Sequence, residues 1–159
     1  MNFFGVHRIT RAFLPMIMRS KGRIVMISSD SGFFATPFFG PYCASKFALE
    51  GYSDSLRREL LLCGAGVVII QPGRVATPIW DKGEKFLGKF NASTFAEPAR
   101  KIGEHAVRKG KSTGLPPMDI AVKVHEALTA KDPRLRYLVA RNALKYLLVK
   151  ILPARWSTA

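Results

Sequence analysis

Arg23-Ile24-Val25-Met26-Ile27-Ser28, residues 23–28, is a short apolar run rich in β-branched side chains. Lys21-Gly22 precedes it and a second serine, Ser29, follows. A run of this kind suits a strand buried on both faces, as in a parallel sheet covered by helices. Val67–Gln71 (VVIIQ) repeats the pattern and is stopped by Pro72-Gly73. Arg136–Ala140 (RYLVA) is a third such run. Helical stretches separate the runs. Residues 2–19 read as an amphipathic helix with Phe4, Ile9, Phe13 and Ile17 near one stripe. A helix over 41–62 has Pro41 in its first turn and ends before Gly64-Ala65-Gly66. Further helices are predicted over 79–90, 97–109, 118–130 and 142–152, with loops at 29–40 and 114–117. Helices alternating with short strands predict an α/β fold whose three parallel strands have both faces covered. Ligands of such sheets bind at the carboxyl ends of the strands. Ser29 and Pro72-Gly73 both fall on that edge.

The chain has 159 residues, enough for one domain with a real core, and 48% are hydrophobic. Its 25 Lys and Arg against 11 acids give a formal charge of +14. Such an excess attracts phosphates, anionic lipid or acidic partners, or marks a chain whose acidic half lies elsewhere. The positive charges are spread along the chain without a basic arm, so nucleic acid is not an expected partner. Cys43 and Cys63 lack metal or redox spacing and read as reduced, small apolar residues. His7, His105 and His125 show no ligand spacing, so no metal is expected. Arg8 and Arg11 interrupt any leader-like run, and no stretch reaches the roughly 20 apolar residues of a membrane span. With the reduced cysteines, these features make a cytoplasmic location the expectation. The basic, apolar segment 141–155, with Arg141, Lys145, Lys150 and Arg155, is either a packed helix with snorkelling cations or a peripheral membrane contact.

Tyr42-Cys43-Ala44-Ser45-Lys46 carries the chemistry. On a helix, Tyr42 and Lys46 stand one turn apart on one face. A phenol near pKa 10 is a poor base at neutral pH, and a neighbouring ammonium lowers that value. Ser29, thirteen residues upstream, can hydrogen-bond a substrate oxygen as charge shifts. Tyr42 can then exchange a proton with a carbonyl or alcohol. Ser28 is the competing serine, but its spacing to Tyr42 is less favourable.

Taken together, Gly22–Ser29, Tyr42–Gly51 and Pro72-Gly73-Arg74-Val75-Ala76-Thr77 resemble the short-chain dehydrogenase/reductase family. The active-site helix is similar to that of its 17β-hydroxysteroid and retinol dehydrogenases. The resemblance implies the second half of a doubly wound Rossmann-type sheet. It implies an NAD(P)-dependent oxidoreductase acting on an apolar alcohol or carbonyl compound of steroid, retinoid or lipid type. Tyr42 is then the acid/base, Ser29 orients the substrate, and Lys46 lowers the tyrosine pKa and binds the nicotinamide ribose. Asn2 matches the asparagine of the proton relay, although it could instead cap the first helix. Pro72, Gly73, the backbone of Val75 and Thr77 lie along the nicotinamide with Tyr42 and Lys46; Thr77 could also be a simple turn or cap. Residues 76–117 are similar to the family's substrate lid, with the Trp80–Phe90 aromatics facing substrate or forming ordinary core. Helices 2–19 and 41–62 correspond to the family's dimer face, which makes a homo-oligomer a possible assembly.

One family element is missing. No GxGxxG or TGxxxGxG turn occurs, and Gly64-Ala65-Gly66 precedes a strand instead of opening a helix. The N-terminal dinucleotide-binding half is therefore absent from this sequence. The alternative function is that of a truncated relative that folds or dimerises without binding NAD or NADP. The sheet is expected to have one bare edge.

Overall fold

The structure, a computed structural model, describes residues 2–87, 93–144, 146 and 148. Its sheet has three strands, β1 (Arg23–Ile27), β2 (Gly66–Pro72) and β3 (Arg136–Val139). They lie in the order β1-β2-β3, all parallel, with Val25 opposite Val68 and Ile70 opposite Tyr137. Among the described residues β1 and β3 are the two edges.

The alternation of β2 decides the layers. Val67 and Ile69 face one way, into a core with Met26, Leu49, Leu56 and Leu60. Val68 and Ile70 face the other, against Ala127 and Tyr137. The first layer is built by helices α1 (Phe4–Arg19) and α2 (Gly40–Leu61), the second by helix α5 (Pro117–Thr129). Pro41 sits in the first turn of α2, where its missing N–H costs nothing. Gly64, at φ +69°, supplies the left-handed turn that leads from α2 into β2. Helices α3 (Ile79–Glu84) and α4 (Ala96–Thr113) lie in the β2–β3 connection before α5. Arg23 closes the open end of α5: its Nη1 donates to the carbonyls of Ala127, Leu128 and Ala130 at 2.6, 3.2 and 3.0 Å. A cation there also complements the negative end of the helix dipole.

Two expectations are corrected. The stripe on α1 that enters the core is Phe3, Val6, Leu14 and Ile17, with buried Thr10 between them. Phe4, Ile9 and Phe13 are exposed, so of the four stripe residues only Ile17 packs inward. A helix with two apolar stripes buries the one whose spacing meets the sheet. Second, α3 ends at Glu84, so Phe86 and Leu87 lie beyond it. Phe90 of the predicted helix, most of the 142–152 helix and most of the segment 141–155 fall outside the described residues.

An ion network ties α2 to the sheet. Arg136 donates from Nε to Glu50 at 3.1 Å and from Nη2 to Asp54 at 2.5 Å. Gln71 donates to the other Glu50 oxygen at 3.0 Å. Arg57 bonds Asp54 and the Val67 carbonyl. The network fixes how α2, which carries Tyr42, sits on β2 and β3.

Among the described residues no helix is long and apolar enough to cross a membrane. Among them no group of His, Cys, Asp and Glu could hold a metal ion.

Candidate active site

Ser29 follows β1 directly and opens a single 3-10 turn, Asp30–Gly32. It is 7% exposed. Its hydroxyl donates to Asp30 Oδ1 at 2.8 Å and accepts from the Ser31 amide at 3.2 Å. Ser28 is different. Its backbone is held to Ile70 at 2.8 Å, and its buried Oγ has no partner among the described residues. Gly32 closes over that hydroxyl: a Cβ there would stand 2.7 Å from Ser28 Oγ and 2.9 Å from Glu50 Cγ. Of the two serines, Ser29 is the one that interacts with the phenol.

Tyr42 lies in the first turn of α2 and is 37% exposed. Its phenol and the Ser29 hydroxyl come within hydrogen-bonding influence of each other. Lys46 stands one turn on, with Nζ 5.8 Å from the centre of the Tyr42 ring. That ammonium donates to the carbonyl of Ile27, the last residue of β1, at 3.0 Å. Lys46 thus straps the helix to the strand that delivers Ser29, and the three expected groups converge.

The electrostatics differ from expectation. Burial pushes the Tyr42 phenol above its ordinary value of 10.0; Ser29 opposes the rise, and Asp30 and Cys43 add to it. Lys46 does not lower it. Its charge lies over the ring face and is directed at a carbonyl. Burial also pulls the Lys46 ammonium below 10.5, against the nearby Glu50 charge. At neutral pH the arrangement holds a protonated phenol.

Asn2 is exposed in the turn before α1 and hydrogen-bonds none of these groups among the described residues. It does not cap α1 either: the cap position is Phe3, with no side-chain bond. Phe3 packs on Tyr52, ten residues along α2 from Tyr42.

The second strand end brings the remaining residues together. Pro72 is buried at the end of β2, and the Gly73 amide donates to Val139 at 2.9 Å. A Cβ on Gly73 would meet that of Ala140 at 3.0 Å and lie 3.7 Å from Asp30 Oδ2. Val75 forms a parallel bridge with Leu115, and its carbonyl accepts from the Trp80 indole at 2.7 Å. Its N–H has no partner among the described residues. Thr77 makes no side-chain cap: α3 is capped at Pro78 without one.

The stretch 76–117 packs on itself. Gly103 and Gly110, two turns apart on α4, leave room for Leu87 and the Trp80 indole, and a Cβ at either glycine would overlap its neighbour. Trp80 and Leu87 are therefore committed to α4. Phe38, in the chain leading into α2, and Phe95 are both exposed, and their rings lie 6.3 Å apart.

Sequence reasoning missed Asp30 and Tyr146. Asp30 is the acceptor that aims the Ser29 proton, and Tyr146 interacts with the Asp30 carboxylate. The signal for Asp30 was its position directly after Ser28-Ser29, at the carboxyl end of a strand.

A family model described as short chain dehydrogenase matches residues 1–87. The chain belongs to the short-chain dehydrogenase family. Among curated relatives, it is 35% identical over 150 residues to an NADPH-dependent 3-dehydrocapnine reductase of Ornithobacterium rhinotracheale, covering 91% of this chain and 53% of that protein. It is 32% identical over 152 residues to mitochondrial D-beta-hydroxybutyrate dehydrogenase of Rattus norvegicus, covering 86% and 43%. A short-chain dehydrogenase/reductase from Burkholderia phymatum, solved in complex with NAD, superposes with a TM-score of 0.73 at 25% identity, over 93% of this chain and 54% of that one. The three parallel strands and their flanking helices are thus a short-chain dehydrogenase arrangement. The chain spans about half the length of the curated relatives it matches.

Proposed function

We propose that this chain carries the proton-transfer machinery of an NAD(P)-dependent oxidoreductase that interconverts an apolar alcohol and a carbonyl compound. The observation that carries the reading is the meeting of Tyr42, Ser29 and Lys46 at the end of β1. The nicotinamide supplies or accepts the hydride at the reacting carbon. The residues past β2 offer such a group a donor: the Val75 N–H, unpartnered among the described residues, suits a carboxamide oxygen. Pro72, Gly73, Val75, Thr77, Tyr42 and Lys46 would hold it.

In the reducing direction Tyr42 gives its proton to the substrate oxygen. Its raised pKa keeps that proton available at neutral pH. Ser29 positions the oxygen once its own proton turns from Asp30 to the substrate. Lys46 holds the helix and strand in register through Ile27 and would donate to the ribose. Asn2 would join the relay only through water. Residues 76–117 would form the lid, with Phe38 and Phe95 offering apolar surface for a substrate of steroid, retinoid or lipid type, the class implied by the likeness of the active-site helix to 17β-hydroxysteroid and retinol dehydrogenases. The exposed stripe of α1 and Phe47 of α2 would pair two copies, which sedimentation at several concentrations reads directly.

The test is a ketone reduction assay with NADH and NADPH, joined to a fluorescence titration of either cofactor. Tyr42→Phe is expected to cut turnover by at least 10²-fold, the lower range for a general acid. Turnover unchanged by Tyr42→Phe refutes the role. No cofactor binding by the wild-type chain supports the non-catalytic alternative.

A further inference from the structure

Arg74, Lys109 and Arg141 line one cavity of about 290 Å³, together with Thr113, Asn142 and Tyr146. The three cations come from three places. Arg74 follows Gly73 past the end of β2, Arg141 follows β3, and Lys109 lies near the carboxyl end of α4. Among the described residues none of the three makes an ion pair or a side-chain hydrogen bond with an acid. The carboxylate at the border is Asp30, which Ser29 and Ser31 already engage and with which Tyr146 interacts. Three like charges brought to one concavity without a counter-charge attract an anion. Two of them are guanidinium forks matched to carboxylate or phosphate oxygens, and Asn142 adds a neutral donor, while the Thr113 hydroxyl is already given to the Lys109 carbonyl at 2.9 Å.

The cavity also adjoins the candidate active site. Tyr146 interacts with Asp30, Asp30 accepts from Ser29, and Ser29 acts on Tyr42. Its volume holds an acid group and a few carbons, well short of a dinucleotide.

We propose that this cavity is an anion subsite, holding the carboxylate or phosphate of a substrate whose carbonyl is presented to Tyr42. The inference rests on the alcohol–carbonyl reading above and adds that the substrate is acidic at one end. An apolar body and an anionic head are then recognised by different surfaces: the aromatic pair Phe38–Phe95 on one side and the three cations on the other.

The test uses the full chain with four probes: levulinate (a keto acid), its uncharged methyl ester, inorganic phosphate, and inorganic pyrophosphate as the stand-in for a cofactor's linking group. Calorimetry gives affinities, and ring-labelled tyrosine spectra report Tyr42. Levulinate is expected to bind at least tenfold tighter than its ester and to shift the Tyr42 ring resonance. Phosphate is expected to compete with it. Arg74→Gln with Arg141→Gln should remove the tenfold preference while thermal melting stays unchanged. Arg8→Gln with Arg11→Gln, two exposed cations on α1, should leave it intact. Tyr42→Phe should also keep the preference, which separates this site from the fate of the catalytic reading. Equal binding of acid and ester, or equal losses in the two double variants, overturns the subsite. A preference for pyrophosphate over levulinate that vanishes in the Arg74, Arg141 variant assigns the cations to cofactor and overturns the substrate assignment. Acid binding that leaves the Tyr42 resonance unmoved overturns the link to that residue.

Discussion

Arg136→Ala tests what holds the Tyr42 helix in place. The substitution removes the donors to Glu50 at 3.1 Å and to Asp54 at 2.5 Å. The two halves of the loss are unequal. The Glu50 side chain is 11% exposed and, among the described residues, keeps the Gln71 amide as its hydrogen-bond donor with the Lys46 charge nearby, so its stranded charge lies toward the buried limit. Breaking a buried pair on one side costs about 3–5 kcal/mol. Arg136 itself is 29% exposed, and Asp54 retains Arg57, so that half is worth roughly 0–1 kcal/mol. Discounting for water at Arg136, the expected loss is about 2–3 kcal/mol at pH 7. Urea unfolding followed by circular dichroism measures it. Glu50→Gln in the Arg136→Ala chain removes the stranded charge, so the double variant should be more stable than the sum of the singles by about 1–2 kcal/mol. There is a pH arm as well. Burial pushes the Asp54 carboxyl up, but bonds and charge from Arg136 and Arg57 outweigh it and hold the pKa below 3.8. A depressed carboxylate pKa stabilises the fold above the unfolded value and loses that contribution as pH falls through the folded one. The Asp54 part of the penalty should therefore shrink below pH 3.8. An Arg136→Ala cost under about 0.5 kcal/mol, or strict additivity with Glu50→Gln, refutes the network as the anchor.

Three further outcomes follow from the packing. Gly110→Ala should displace the Trp80 indole from the Val75 carbonyl, shift tryptophan emission and cost about 1–3 kcal/mol; unchanged emission contradicts the packing. Arg23→Ala should strip the carbonyl end of α5 of its donor and lower stability by about 1–3 kcal/mol in the same urea assay, and a change within error contradicts the cap. Tyr146 is pushed up to about 12, chiefly by burial and then by the Asp30 charge and hydrogen bond. A raised phenol pKa stabilises the fold fully below its unfolded value and loses that contribution on rising through the folded one. Stability should thus fall between pH 10 and about 12, and Tyr146→Phe should flatten that part of the profile.

Strand positions were legible because RIVMI and VVIIQ are apolar on both parities and are bounded by Gly and Pro. The first turn of α2 was legible from Pro41. The buried side of α1 was not: Phe4, Ile9 and Phe13 form a stripe as regular as that of Val6, Leu14 and Ile17, and the buried side includes a polar residue, Thr10. Only the sheet's shape chooses between them. At the site, the convergence of Tyr42, Ser29 and Lys46 could be read from spacing and resemblance. The direction of the tyrosine pKa could not, because it depends on burial and on where the Lys46 ammonium points. The Glu50–Arg136 link joins residues 86 positions apart, beyond any local pattern.

A Cβ on Gly73 would stand 3.0 Å from the Ala140 methyl, between the tips of β2 and β3. An alanine at the first is accommodated only if the second yields by a few tenths of an ångström. A change at either tip is therefore felt at the other, and the gap between the strand ends sets how much bulk this rim accepts.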